Sequence, residues 1–214
     1  MKSIAFCLAA LALTVPALGS QKPAGSQLPS AAAPCSSTVD DGAIYSAALR
    51  QTVLKGRDDS TQVVLYSQTS AGLPPGLASS SYTSPAERQE LTSAAESDTK
   101  KDFDTKLTLQ CDLGMDIEPV GRVTLVAAKD RNRFFNPGGT YWKGFMQRYP
   151  HAAGFTLLSA IGFNEQHKQA LVYVGNSCGV LCGSGYFVLL EKKHDKWAAV
   201  KTAVVWTAGP ASNE

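Results

Sequence analysis

The chain has 214 residues, with 20 Lys and Arg against 18 Asp and Glu and a formal charge of +2. So even a balance offers no field to draw in nucleic acid or an anionic membrane surface, and it speaks against binding to either. After the first residues no second apolar run is long enough for a membrane span, which needs about 20 residues.

Lys2 and the uncharged stretch Ile4 to Leu18, closed by Ala17-Leu18-Gly19, predict a secretory signal peptide over residues 1–19, cleaved after Gly19. Pro16 and Gly19 interrupt the helix where a membrane anchor would have to continue. Cys7 lies inside the apolar run behind Phe6, so it is discarded with the signal rather than lipidated. Export to the periplasm or the medium follows. Of the 214 residues, 195 remain, with 19 basic against 18 acidic side chains once Lys2 is lost.

Residues 20–37 are Ser, Ala, Pro and Gly with little else, too poor in apolar surface to offset ordering entropy, and predict a disordered linker. Residues 38–214 are expected to form one domain, best defined over 139–207. Thr38 followed by Asp41 resembles a capping box and opens a helix to Leu54, buried on more than one side and stopped by Gly56. Thr61 to Ser67 predicts a strand through Val63, Val64, Leu65 and Tyr66. Ser84, Pro85 and Glu87 mark the start of a surface helix running to about Lys101.

Val123 to Ala128 predicts a further strand, and the mixed charges of Lys129 to Arg133 a solvated turn. Trp142, Phe145, Met146 and Tyr149 stand at i, i+3, i+4 and i+7, the pattern of a core-facing helix that Pro150 ends. Four strands follow: Phe155 to Phe163 with Phe155, Leu157, Ile161 and Phe163 on one face, Ala170 to Val174, Tyr186 to Leu190, and Trp197 to Trp206. The links Asn164–Gln169, Asn176–Ser184 and Lys192–Lys196 are too short for parallel crossovers. The expectation is an α+β fold, a four-stranded antiparallel C-terminal meander with helices on one face.

An exported chain holds its cysteines as disulfides, and four remain after signal removal: Cys35, Cys111, Cys178 and Cys182. Three connectivities are open; the short separation favours Cys178 with Cys182, leaving Cys35 with Cys111. The most distinctive segment is Asn176 to Gly185, in which Asn176, Gly179, Gly183, Ser184 and Gly185 surround that pair. Its glycines suit positive φ and its cysteines a staple. A thiol–disulfide oxidoreductase would place C-x-x-C at a helix start, where the dipole lowers one thiol's pKa, whereas here the spacing is C-x-x-x-C before a strand.

Other chemistries find less support. A papain-type reading puts Gly185 where the nucleophilic cysteine belongs, no Lys-Ser or Lys-Thr follows the glycines for a phosphate loop, and G-x-S-x-G is absent. His151, His167 and His194 lie in separate loops without metal-ligand spacing, and His194 with Asp195 reads as a hairpin tip. No acidic pair is singled out for glycoside cleavage. No cofactor is called for.

Tyr141-Trp142, Phe145 and Tyr149-Pro150, then Ile161 to Asn164, Gln169 to Gly175, Cys178 to Tyr186 and Leu189 to Lys192 before Trp197, together resemble the C-terminal part of uncharacterised bacterial exported proteins. The resemblance covers about a third of the chain and implies a bacterial origin and a discrete domain, without an activity. A strand–turn–strand ending in Lys192-x-x-x-Lys196-Trp197 also resembles cystatin-like and nuclear-transport-factor-like domains, at the level of fold alone. The function expected is that of a non-catalytic extracytoplasmic binding or structural domain for an unidentified ligand or partner, working through the Cys178–Gly185 loop. The alternative is an enzyme, either an oxidoreductase using Cys178 and Cys182 or a hydrolase without a recognisable motif.

Overall fold

The computed structural model describes residues 38–58, 60–70, 81–82, 93–114, 116–117 and 122–208, and among these described residues eight strands and four helices are defined. The expected signal peptide and linker, Cys35 and the expected helix start at Ser84 lie outside the described residues. In chain order the elements are α1 (Asp41–Gln51), β1 (Gln62–Tyr66), β2 (Ser81–Tyr82), α2 (Ser97–Lys106), β3 (Arg122–Val126), α3 (Ala128–Phe135), α4 (Tyr141–Arg148), β4 (Ala152–Leu158), β5 (Gly162–Phe163), β6 (Gln169–Gly179), β7 (Cys182–Lys193) and β8 (Lys196–Ala208).

The strands form one mixed sheet in the order β2-β8-β7-β6-β4-β1-β3, with β5 pairing β6 beside that path. β1 lies between β3 and β4 and runs parallel to both, while β4, β6, β7 and β8 are antiparallel neighbours. The protein is thus α+β, but its C-terminal strands belong to a larger sheet instead of forming a four-stranded unit of their own. The parallel β3–β1–β4 part also departs from a helix seated in an antiparallel curved sheet, the arrangement of cystatin-like domains.

Helices cover both faces rather than one. Along β6, Ala170, Val172 and Val174 pack with Ile44, Tyr45, Ala48 and Leu49 of α1, while Leu171 and Tyr173 point the other way and pack with Phe103 of α2. This is why Ala170 to Val174 is apolar without a break, the pattern of a strand buried on both sides. On the same face as α2, beside the β1–β4 half, α3 and α4 bury Phe135 and Phe145 against Val64, Tyr66, Phe155 and Leu157. Phe145 touches five other aromatic rings at centroid distances of 5.2–6.0 Å. The apolar stripe of α4 therefore meets the core as its spacing predicts.

Four sequence expectations are corrected. Lys129 to Arg133 is part of helix α3, anchored by Phe134 and Phe135 at its end, and Arg131 lays its guanidinium 5.1 Å from the Tyr66 ring centroid. Phe155 and Leu157 face α4 but Ile161 and Phe163 face α1, because the chain bends between β4 and β5. At that bend the Ser159 hydroxyl accepts from Tyr173 N at 2.8 Å, filling a ladder position that the backbone has left. The link between β6 and β7 is only Val180-Leu181, so most of Asn176 to Gly185 is strand. Finally, the helix expected to run to Lys101 is interrupted at Ala95-Glu96, and α2, which starts at Ser97, is not merely superficial, since Phe103 is buried under the sheet where it crosses Gly162.

Candidate functional site

At the end of the sheet, where the chain bends from β4 into β5, the first turn of α1, the end of α2 and the segment 109–117 enclose a cavity of about 170 Å³. Its apolar wall includes Tyr45, Leu113, Ile117, Ile161 and Phe163, and its polar wall Thr38, Asp41, Thr69, Lys106, Asp112 and Asp116. Each side is held by a distinct device. Gly42 lets α1 approach the Asp116 carbonyl so closely that any Cβ there would collide. The Tyr45 hydroxyl donates to the Ser159 carbonyl at 2.9 Å, tying α1 to the bend.

The segment 109–113 is laid along the continuation of β1. Thr69 N donates to the Cys111 carbonyl at 2.7 Å, Leu113 N to Ser67 O at 2.8 Å and Cys111 N to Thr69 Oγ1 at 2.9 Å. Thr69 Oγ1 in turn donates to Leu109 O at 2.7 Å. Cys111 is buried in this wall and is disulfide-bonded; since Cys178 and Cys182 take each other, its partner lies outside the described residues.

Burial raises the Asp41 carboxyl above the usual aspartate value, opposed by hydrogen bonds from Thr38 and by the charge of Lys106. The Lys106 ammonium is engaged by Asp102 at 2.8 Å, and the same Asp102 oxygen accepts from Phe163 N at 2.8 Å. Burial pushes the Tyr45 phenol far up, with Asp41 adding to it, so it stays protonated. Among the described lining residues, Thr38 donates to Asp41, Tyr45 to Ser159 and Thr69 to Leu109, and Cys111 is disulfide-bonded.

A more open groove of about 350 Å³ adjoins the cavity through Lys106 and Phe163 and adds Asp98, Lys101, Asp102, Glu165 and His167. His167 takes positive φ and stacks on Phe163 at 4.7 Å. Asp98 accepts from Glu165 N at 2.8 Å, which holds its carboxyl below the usual range. Among the described residues no three His, Cys, Asp or Glu side chains are grouped to hold a metal ion.

Of the candidate site residues among the described residues, only Cys111 reaches the cavity. Cys178 and Cys182 are bonded, 5.0 Å apart at Cα, and clamp the β6–β7 hairpin whose tip exposes Val180 and Leu181. They stand in strands, not at a helix N-terminus, so the thiol activation used by oxidoreductases is missing. Asn176 is buried, accepting from Thr156 Oγ1 at 2.9 Å and donating to Ala153 O at 3.2 Å, and Ser184 donates to the Tyr186 hydroxyl at 2.7 Å. Gly179, Gly183 and Gly185 do not adopt positive φ. Gly183 and Gly185 instead make room, the first for the Asn176 carbonyl and the second for the Trp206 indole.

The cavity residues Asp41, Tyr45, Lys106, Asp112 and Asp116 carried no motif. The available signals were the Thr38–Asp41 pair and the two acids flanking a glycine just after Cys111. Comparison with family models, with curated proteins and with solved structures gives no match.

Proposed function

We propose that this chain is an exported, disulfide-bonded binding domain that takes a small, partly apolar molecule in the cavity between α1, α2 and the segment 109–117, without acting on it covalently. The observation that carries the reading is the cavity itself. It is a preformed concavity with an apolar wall and a few convergent polar groups. Its volume suits one ring or a short branched chain, since an engineered cavity of about 150 Å³ takes benzene. Among the described lining residues, Tyr45 and Thr69 give their protons to backbone carbonyls and Cys111 is disulfide-bonded, so none of these three is paired with a general base.

Export rests on the apolar run that follows Lys2 and on the disulfides, with Cys35 as the partner of Cys111. Mass spectrometry of material secreted from the full chain is expected to place the mature N-terminus at Ser20. Binding is tested by titrating benzyl alcohol into isotope-labelled mature protein. The amides of Ile117, Ile161 and Phe163 are expected to shift, and Gly114→Phe, at a rim position with open space for a side chain, to abolish the shift. If neither benzyl alcohol nor its charged analogues moves these amides at about 10 mM, beyond the millimolar range of weak binding, the cavity is not a binding site. Cys178→Ser with Cys182→Ser is expected to leave the shifts intact.

A further inference from the structure

We infer that the cavity selects an organic cation, an amine carrying a small apolar body, over neutral and anionic molecules of the same shape; this rests on the binding reading above. Among the described residues, the lining places three carboxyl groups, Asp41, Asp112 and Asp116, against a single cation, Lys106. Lys106 does not answer them freely, because Asp102 holds its ammonium at 2.8 Å and its side chain lies over Phe163. Gln68 donates to Asp112 at 3.1 Å and Thr38 to Asp41, and neither donor carries charge. The lining is therefore net negative while its opposite wall is apolar, the two requirements of an amphipathic ammonium.

The one opposing field is the first turn of α1, whose macrodipole is equivalent to about half a positive charge. Asp41 sits in that turn and outweighs it with a full carboxylate. The adjoining groove extends the same sign, with Asp98, Asp102 and Glu165 against Lys101 and Lys106, so a cation reaches the cavity along an acidic approach. An anion would meet the excess negative charge of Asp41, Asp112 and Asp116, and a neutral alcohol would gain no charge-assisted contact with them.

Benzylammonium, benzyl alcohol and benzoate share one ring and differ in charge, so they separate the cavity from its selectivity. Titrations of the labelled mature protein near pH 7 are expected to give benzylammonium an affinity at least about tenfold above benzyl alcohol, the scale of one charge-assisted contact, with benzoate weakest. Asp41→Asn with Asp116→Asn is expected to remove the preference for benzylammonium over benzyl alcohol, with a parent-like circular dichroism spectrum and a cooperative thermal transition showing that the variant is folded. Equal binding of all three, or preference for benzoate, would overturn the cation selectivity while leaving the binding reading in place. Silence of all three would remove the binding reading and this inference together.

Discussion

Asp41 and Gly185 show how much a single position decides here. Burial raises the Asp41 carboxyl, so the folded state holds its proton more tightly than the unfolded chain does. Its contribution to stability is present below the ordinary aspartate value of 3.8 and is lost as pH rises through the raised value. Asp41→Asn is therefore expected to gain in Tm relative to the parent as pH climbs past 3.8, a trend read by melting both proteins across the acid range. Asp98, held low by the Glu165 and Thr99 amides, has the opposite sign: its stabilising effect is lost on acidification. Gly185→Ala would push a methyl into the Trp206 indole, which is buried and donates to the Tyr173 hydroxyl at 2.8 Å. Overpacking of this kind costs about 1–3 kcal/mol, measurable in a urea melt followed by Trp fluorescence. The sequence alone points to Gly185 through turn geometry, yet its reason is the bulk of a side chain 21 positions away, which no local pattern reveals.

Among the elements, α4 was legible because its apolar positions repeat at the helical period, whereas α3 was not, because five polar residues follow Ala128 and its two phenylalanines come at the end. The core anchor of α4 is Phe145, fully buried, rather than Trp142, which remains partly exposed. Phe145→Ala is expected to cost about 3–5 kcal/mol and Trp142→Ala clearly less, a ranking that equilibrium denaturation of the two variants checks. The β7–β8 hairpin was readable from His194-Asp195, which adopt the two positive φ values of a tight hairpin turn. The β6–β7 hairpin was mistaken for a long loop because cysteine and glycine weaken the strand signal, although Asn176 to Gly179 pair in register with Cys182 to Ser184, with Cys178 bulged. The cavity stayed hidden for another reason: its wall comes from α1, from the end of α2 and from residues 109–114, brought together by contacts between positions far apart in the chain, such as Thr69 with Cys111 and Tyr45 with Ser159.

Across the whole molecule, the mixed sheet is what short C-terminal links could not announce. Parallel pairing of β1 with both β3 and β4 joins stretches that lie far apart in the chain. A chain truncated after Pro150 loses one of the two neighbours of β1 and all of β6, β7 and β8, so it is expected to show no cooperative thermal transition by circular dichroism. The position of β1 also sets a schedule for biosynthesis. The apolar Val63 to Tyr66 leave the ribosome 86 residues before Ala152, an interval of roughly 4–17 s at about 5–20 residues per second. For that time a strand destined for the middle of the sheet has no completed sheet to enter. A nascent chain that cannot close early remains threadable, which is the state a translocation channel requires.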